Sequence, residues 1–244
     1  MTSSSRNLVS LRFASTTSYK ENLAHLIELI NRCDDNDIIV APEVCLTDYD
    51  YDNFQEAIAF TNGAIKELLI HVKNRVLILT VIEKRSDGIF NVAKVLHNNK
   101  VLYNQPKANL FKFGDEHRYF ESGNDSDIVL FEVDGIHMGI MICFELRFKK
   151  LWQQLEGADI ISVPSRWGLL RTQNFSSLTN ALAIMNQCYV IASDSSNDDF
   201  TGKSGIINPF GHEIRNGERE IETMPYDNKE IKAMRRYMQV GIDD

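Results

Sequence analysis

The run Ile136-His137-Met138-Gly139-Ile140-Met141-Ile142-Cys143, followed at once by Glu145-Leu146-Arg147-Phe148-Lys149-Lys150-Leu151-Trp152-Gln153-Gln154-Leu155, decides the fold class. An apolar, strand-like stretch passes within two residues into one with helical spacing, which places Cys143 at a strand-to-helix turn. Asp134-Gly135 just before it is a two-residue hairpin signal, so residues 128–133 are predicted to be the partner strand. Downstream the alternation repeats: a short buried strand at 160–163, a helix with Phe175, Leu178, Leu182 and Met185 on one face, and a strand at 189–193.

The N-terminal half reads the same way. A strand at 8–14 precedes Ser18-Tyr19-Lys20-Glu21, whose capping-box spacing opens a helix to about Cys33 with the stripe Leu23, Leu26, Ile27 and Ile30. A buried strand at 38–40 follows, then a helix capped by Asp52 with Gln55 three residues on, carrying Ile58, Ile65, Leu68 and Leu69. Strand-like runs at 76–82, 91–97 and 101–103, separated by Asp87-Gly88 and Asn98-Asn99, predict a meander. Near the end, strands at 205–207 and 212–214 flank Asn208-Pro209-Phe210-Gly211, and 228–239 reads as a basic helix docked by Ile231, Met234 and Met238. Helices and strands that alternate around a hairpin-rich middle predict a layered α/β fold.

With 244 residues, 43 % hydrophobic and 25 % charged, the chain is ordinary globular protein of one domain's size. Its 26 basic and 34 acidic residues give a net charge of −8, which supplies no electrostatic reason for a nucleic-acid partner. No apolar run approaches the ~18 residues of a membrane span, and the start lacks the apolar segment of an export signal. Cys33, Cys45, Cys143 and Cys188 contain no C-x-x-C pair, so reduced cytosolic thiols are expected. The six histidines form no H-E-x-x-H, and in Asp48-Tyr49-Asp50-Tyr51-Asp52 the calcium-loop pattern fails at Asn53 and Ala59; no metal is expected, and that run reads as a solvated loop.

Three reactive groups stand at the ends of strand signals: Glu43 after Val40, Lys107 after Tyr103, and Cys143 after Ile142. Singly each has a bland reading, as cap, solvated charge and core filler. Together Ala41-Pro42-Glu43, Gln105-Pro106-Lys107-Ala108-Asn109-Leu110-Phe111 and Ile142-Cys143-Phe144-Glu145-Leu146-Arg147-Phe148 resemble the three signature blocks of the nitrilase superfamily of carbon–nitrogen hydrolases, in order and separation. Supporting matches include Glu116-His117-Arg118-Tyr119-Phe120-Glu121-Ser122-Gly123, Val163-Pro164 with Trp167, and Ser204-Gly205-Ile206-Ile207-Asn208-Pro209-Phe210-Gly211, so the resemblance spans roughly residues 6–215. Lys149-Lys150, Leu182 and Met185 depart from the family's usual supporting charges.

The resemblance implies a four-layer αββα sandwich: a single domain over 1–244, with its core at about 6–215 and a tail at 224–244 serving packing or oligomer contacts. It implies a Glu43–Lys107–Cys143 triad, Glu116 as a second glutamate with Asp115 leaving the register open by one, and the Phe144 backbone N–H as an oxyanion donor. A helix N-terminus at Cys143 is expected to favour its thiolate. Arg147 either binds a substrate carboxylate or pairs with Glu145 or another acid, while Arg166 and Trp167 border the pocket, as a carboxylate clamp and an apolar wall. The implied activity is that of a cofactor-free, metal-free cytoplasmic thiol amidohydrolase, homodimeric or larger. It cleaves a small linear amide or N-carbamoyl compound through a Cys thioester and releases ammonia or amine. The alternative is a catalytically silent relative that binds a metabolite or partner, against which the intact Glu43, Lys107 and Cys143 weigh.

Overall fold

The computed structural model describes residues 6–242; the ends of the expected 1–244 domain, 1–5 and 243–244, lie outside the described residues. In chain order come β1 (Asn7–Leu11), α1 (Tyr19–Asn31), β2 (Ile38–Val40), α2 (Phe54–His71), β3 (Val76–Arg85), β4 (Gly88–His97), β5 (Lys100–Pro106), β6 (Phe131–Val133) and β7 (Ile136–Ile140). Then follow α3 (Lys149–Gln154), β8 (Ile160–Ser165), α4 (Thr172–Asn186), β9 (Tyr189–Asp194), β10 (Gly205–Ile207), β11 (Glu213–Ile214), β12 (Ile221–Pro225) and α5 (Asn228–Tyr237). They form two six-stranded sheets, ordered β12-β1-β2-β3-β4-β5 and β11-β10-β9-β8-β7-β6.

Each sheet has a parallel centre, β1-β2-β3 in one and β7-β8-β9 in the other, extended by antiparallel strands, most of them in hairpins. The hairpins follow from local chemistry. Asn98 and Asn99 (φ 49° and 59°), and Asp134 and Gly135 (φ 51° and 78°), take the positive φ pair that a two-residue turn matched to strand twist requires. The period-2 alternation of the strands sets the layers. Leu8, Val40 and Ile78 pack with Ile140 and Ile206 of the second sheet, whereas Val9, Ile39 and Leu77 pack with Leu26 of α1 and Leu68 of α2. Between the sheets the Ser10 hydroxyl donates to the Ala192 carbonyl at 2.6 Å, so even the polar inward position is satisfied. The result is the expected αββα sandwich.

Several local expectations are corrected. The Ser18 hydroxyl does cap α1, accepting from Glu21 N–H at 3.3 Å, but α2 begins one residue later than expected, with Asn53 rather than Asp52 at its N-cap. Asp50 accepts from the Asn53 N–H at 3.0 Å and so fixes that entry. On α4 the buried stripe runs through Phe175, Thr179, Leu182 and Asn186, and Met185 is 64 % exposed. Eleven residues at 3.6 per turn bring Asn186 to within about 20° of Phe175, while Met185 falls about 80° away.

The helix expected over 145–155 is split into a 3₁₀ turn at Cys143–Arg147, an extended Phe148 and the short α3. The core also runs past residue 215. β12 pairs antiparallel with β1, Leu8 opposite Met224, and Ile231 of α5 is fully buried in the main core.

Candidate active site

The chain leaves β2, β5 and β7 through three loops that converge at one end of the sandwich, carrying Glu43, Lys107 and Cys143. Lys107 is fully buried, and its Nζ donates to Glu43 Oε1 and Glu116 Oε1, each at 2.7 Å. Asn91 of β4 donates to Glu43 Oε1 at 2.9 Å and to the Tyr49 hydroxyl at 3.1 Å, and Tyr49 in turn donates to Glu116 Oε1 at 3.0 Å. Phe111 N–H holds Glu116 Oε2 at 2.9 Å. Of the two acids in that register, Glu116 reaches Lys107, whereas Asp115 is exposed and pairs with Arg118 at 3.2 Å.

Burial opposes the charge on Lys107, yet the carboxylates of Glu43 and Glu116 outweigh it and push its pKa up, so the ammonium persists in the interior. Tyr49 is likewise driven upward, first by burial and then by Glu116 and Glu43, and remains a donor. Among the described residues Glu43 Oε2, although buried, has no hydrogen-bond partner, which leaves one basic oxygen uncommitted.

Cys143 sits in the left-handed region at φ 50°, where a side chain other than glycine's is strained, and Val44 beside Glu43 does the same at φ 43°. Burial is the main influence on the thiol and pushes its pKa well up; Glu43 adds to this while Lys107 pulls the other way. The expected thiolate-favouring helix end is therefore corrected: the turn is 3₁₀, and in the free site the thiol keeps its proton. Phe144, Glu145 and Leu146 complete that turn, with the Phe144 side chain half-buried.

A cavity of ≈ 230 Å³ is lined by Glu43, Glu116 and Cys143 together with Tyr49, Phe111, Arg166 and Arg171. It adjoins a cleft lined by Cys143, Phe144, Arg147, Trp167 and the same Arg166 and Arg171. Arg147 does not pair with Glu145; its guanidinium lies 4.7 Å over the Trp167 ring and donates to Asn174 at 3.2 Å. Arg166, its side chain 5 % exposed, donates to Asp48 at 2.8 Å and stacks 4.2 Å over Phe200, with Nη1 unpartnered among the described residues.

The Trp167 side chain is buried, and the residue's backbone N–H donates to Asp194 Oδ1 at 2.8 Å. Arg171 was not anticipated. It rests 5.3 Å over Phe111 and lines both spaces; its only signal in the sequence was its place on the loop that already supplied Arg166. The run 48–52 is not a free loop, since Asp48 holds Arg166 and Asp50 accepts from the Tyr19 hydroxyl at 2.6 Å. Among the described residues no group of three or more His, Cys, Asp or Glu side chains is placed to hold a metal ion.

Residues 8–233 match the carbon-nitrogen hydrolase family. Among curated relatives, the 2-oxoglutaramate amidase of Bacillus subtilis is 31% identical over 224 residues, 85% of this chain and 84% of that protein. The deaminated glutathione amidase of Escherichia coli O157:H7 is 28% identical over 214 residues, covering 82% of this chain and 81% of its own. Among solved structures, a CN-hydrolase superfamily protein from Xanthomonas campestris superposes with a TM-score of 0.82 at 19% identity, covering 97% of this chain and 96% of that one.

Proposed function

The chain belongs to the carbon-nitrogen hydrolase family, and from that premise we propose that it is a thiol amidohydrolase with Cys143 as nucleophile, Glu43 as base and Lys107 as oxyanion donor. The observation that carries this reading is the buried ammonium of Lys107 held at 2.7 Å by Glu43 and Glu116, in a cavity those acids share with Cys143. With Glu43 and Glu116 ionised and Lys107 charged, this buried group carries one net negative charge. Losing the Cys143 proton to water would add a second, which reinforces the resistance to ionisation that burial already imposes. Passing it to Glu43 leaves the total unchanged, so the transfer costs far less desolvation.

The Cys143 thiolate attacks the amide carbon, and the electron pair of the C=O moves onto oxygen. Lys107 and the Phe144 N–H stabilise that oxyanion, a contribution of ~3–4 kcal/mol per donor in comparable sites. The protonated Glu43 gives its proton to the departing nitrogen, the C–N bond breaks, and ammonia or an amine leaves a thioester on Cys143. Glu43 then takes a proton from water, hydroxide adds to the thioester, and the carboxylic acid departs as the thiol is restored. Glu116, fixed by Tyr49 and Phe111, orients Lys107 and the substrate amide.

The substrate is a small linear amide or N-carbamoyl compound, and the arginines favour one that also bears a carboxylate, such as an ω-amide. Arg166 has an uncommitted Nη1 beside Cys143, Arg147 and Arg171 flank it, and Trp167 supplies the apolar wall. The name of the Bacillus relative, an amidase of a carboxylate-bearing amide, supports the same choice. We also read 1–244 as one domain of a cytoplasmic homodimer or larger homo-oligomer. Four cysteines outside any disulfide support the compartment, and the exposed apolar Leu169, Leu170 and Met185 support association.

Ammonia release from simple amides, ω-amides and N-carbamoyl amines, measured for wild type and Cys143→Ala in parallel, tests the reading. We expect turnover with the ω-amides only in the wild type, together with a mass increase of one acyl group on Cys143. Equal turnover in both proteins sinks the nucleophile assignment.

A further inference from the structure

Glu145 is the most completely enclosed carboxylate near the reaction centre, and the chemistry above does not use it. It is fully buried two residues after Cys143. One oxygen, Oε1, accepts from the Ala108 N–H at 2.7 Å and the Asn109 N–H at 3.4 Å. The other, Oε2, accepts from the Ile142 N–H at 2.7 Å. Ala108 follows Lys107 directly, and Ile142 precedes Cys143 directly. A single carboxylate thus bridges the backbone of the loop bearing the ammonium and that of the loop bearing the thiol, which come from different sheets.

We propose that Glu145 is a positioning residue, a clamp that sets the distance between the Cys143 sulfur and the Lys107 ammonium by holding main-chain N–H groups on both loops at once. Only an ionised carboxylate can do this, because both oxygens must accept. A protonated acid, or the amide of glutamine, turns one side into a donor facing an N–H, and that half of the bridge is lost. The same bridge accounts for the split helix: the Glu145 side chain is drawn back onto Ile142 N–H, so the turn after Cys143 stays tight and 3₁₀.

The proposal rests on the amidohydrolase reading for its kinetic arm but not for its structural one. Burial raises the Glu145 carboxyl from an ordinary 4.5 to about 7; the Ile142 and Ala108 N–H groups and Lys107 oppose the shift. The titratable groups facing it are Lys107, just past β5, which acts on Glu145, and Tyr103 of β5, on which Glu145 acts. Acidification through about 7 therefore opens the clamp. For stability the sign is the reverse. A folded-state value above the unfolded one means that this group's contribution is full below about 4.5 and is lost as the pH rises through about 7. Activity and stability owed to Glu145 should move in opposite directions over that window, which a merely structural acid does not produce.

The test compares wild type, Glu145→Gln and Glu145→Asp between pH 5.5 and 9. It measures kcat and KM for an ω-amide, melting temperature, and the rate at which iodoacetamide alkylates Cys143 as located by peptide mass. In the wild type kcat should fall with acid with a midpoint near 7. In Glu145→Gln it should be lower by about tenfold to a hundredfold at pH 8, with that limb gone and KM within about threefold. The melting temperature of the wild type relative to Glu145→Gln should decline as the pH rises. Unchanged kcat with the acid limb retained in Glu145→Gln overturns the proposal, and so does failure of both variants to fold, which makes Glu145 a general structural acid. If the wild type hydrolyses no amide, the functional reading fails by itself. Alkylation then decides the clamp, which stands only if Cys143 reacts with a different rate and pH profile in Glu145→Gln.

Discussion

The inner wall of the cavity and its mouth handle charge in opposite ways. On the wall, Lys107, Glu43, Glu116, Tyr49 and Asn91 are joined to one another by contacts between 2.7 and 3.1 Å, with Glu43 Oε2 left over. At the mouth, Arg147, Arg166 and Arg171 lie against the rings of Trp167, Phe200 and Phe111, and of the three only Arg166 has a carboxylate partner among the described residues. Polar groups that hydrogen-bond one another in a low dielectric hold one geometry. Guanidiniums resting on rings keep donors in reserve for an anion. The difference teaches that the reaction is set by the wall and the choice of substrate by the mouth, so damage to each should show in different measurements.

Lys107→Met gives the largest expected effect and attacks the wall. It leaves Glu43 and Glu116 buried beside each other without their cation, a lesion of about 3–5 kcal/mol in comparable buried pairs. One of the acids should then hold a proton. Its folded-state pKa is raised, so the melting temperature of the variant should drop further behind the wild type as the pH rises from 5 to 8. Ammonia release should be abolished throughout, and a variant with normal stability at pH 8 breaks the comparison.

Arg171→Gln attacks the mouth. For an amide that carries a carboxylate, KM should rise by about tenfold to a hundredfold, with kcat changed much less, as expected for loss of one charged hydrogen bond to bound substrate. For a neutral amide of similar size KM should stay within about twofold. Equal effects on both substrates would remove Arg171 from substrate choice. Ser18→Ala calibrates the scale far from either region: loss of the α1 cap should cost about 1 kcal/mol in urea unfolding and leave kcat and KM unaltered.

What the sequence made legible was local or short in reach. The asparagine and Asp-Gly turns, the Ser18 cap and the alternation of strands and helices depend on residues within a few positions of one another. The candidate triad was legible for another reason: each member follows a strand signal in a block long enough to resemble a known family. β12 was missed because Ile221-Glu222-Thr223-Met224 has little apolar pattern of its own and becomes a strand only against β1, some two hundred residues earlier. Met185 was misplaced because its spacing to Leu182 fits a helix face that Asn186 actually occupies, donating to the Trp152 carbonyl at 2.7 Å. Glu145 stood in plain view inside the Cys143 block, but its partners are backbone N–H groups, which carry no signature in a sequence.

The pairing of β1 with β12 has a consequence for how the molecule is made. β1 leaves the ribosome about two hundred residues before the strand that covers its outer edge. Until Ile221–Pro225 is synthesised, β1 presents unpaired N–H and C=O groups beside the apolar Val9 and Leu11, a template for pairing with another nascent chain. Closing that edge requires a contact of very long sequence separation, so the first sheet is completed only after the residues between the two strands exist, and slow annealing of that edge is built into its topology.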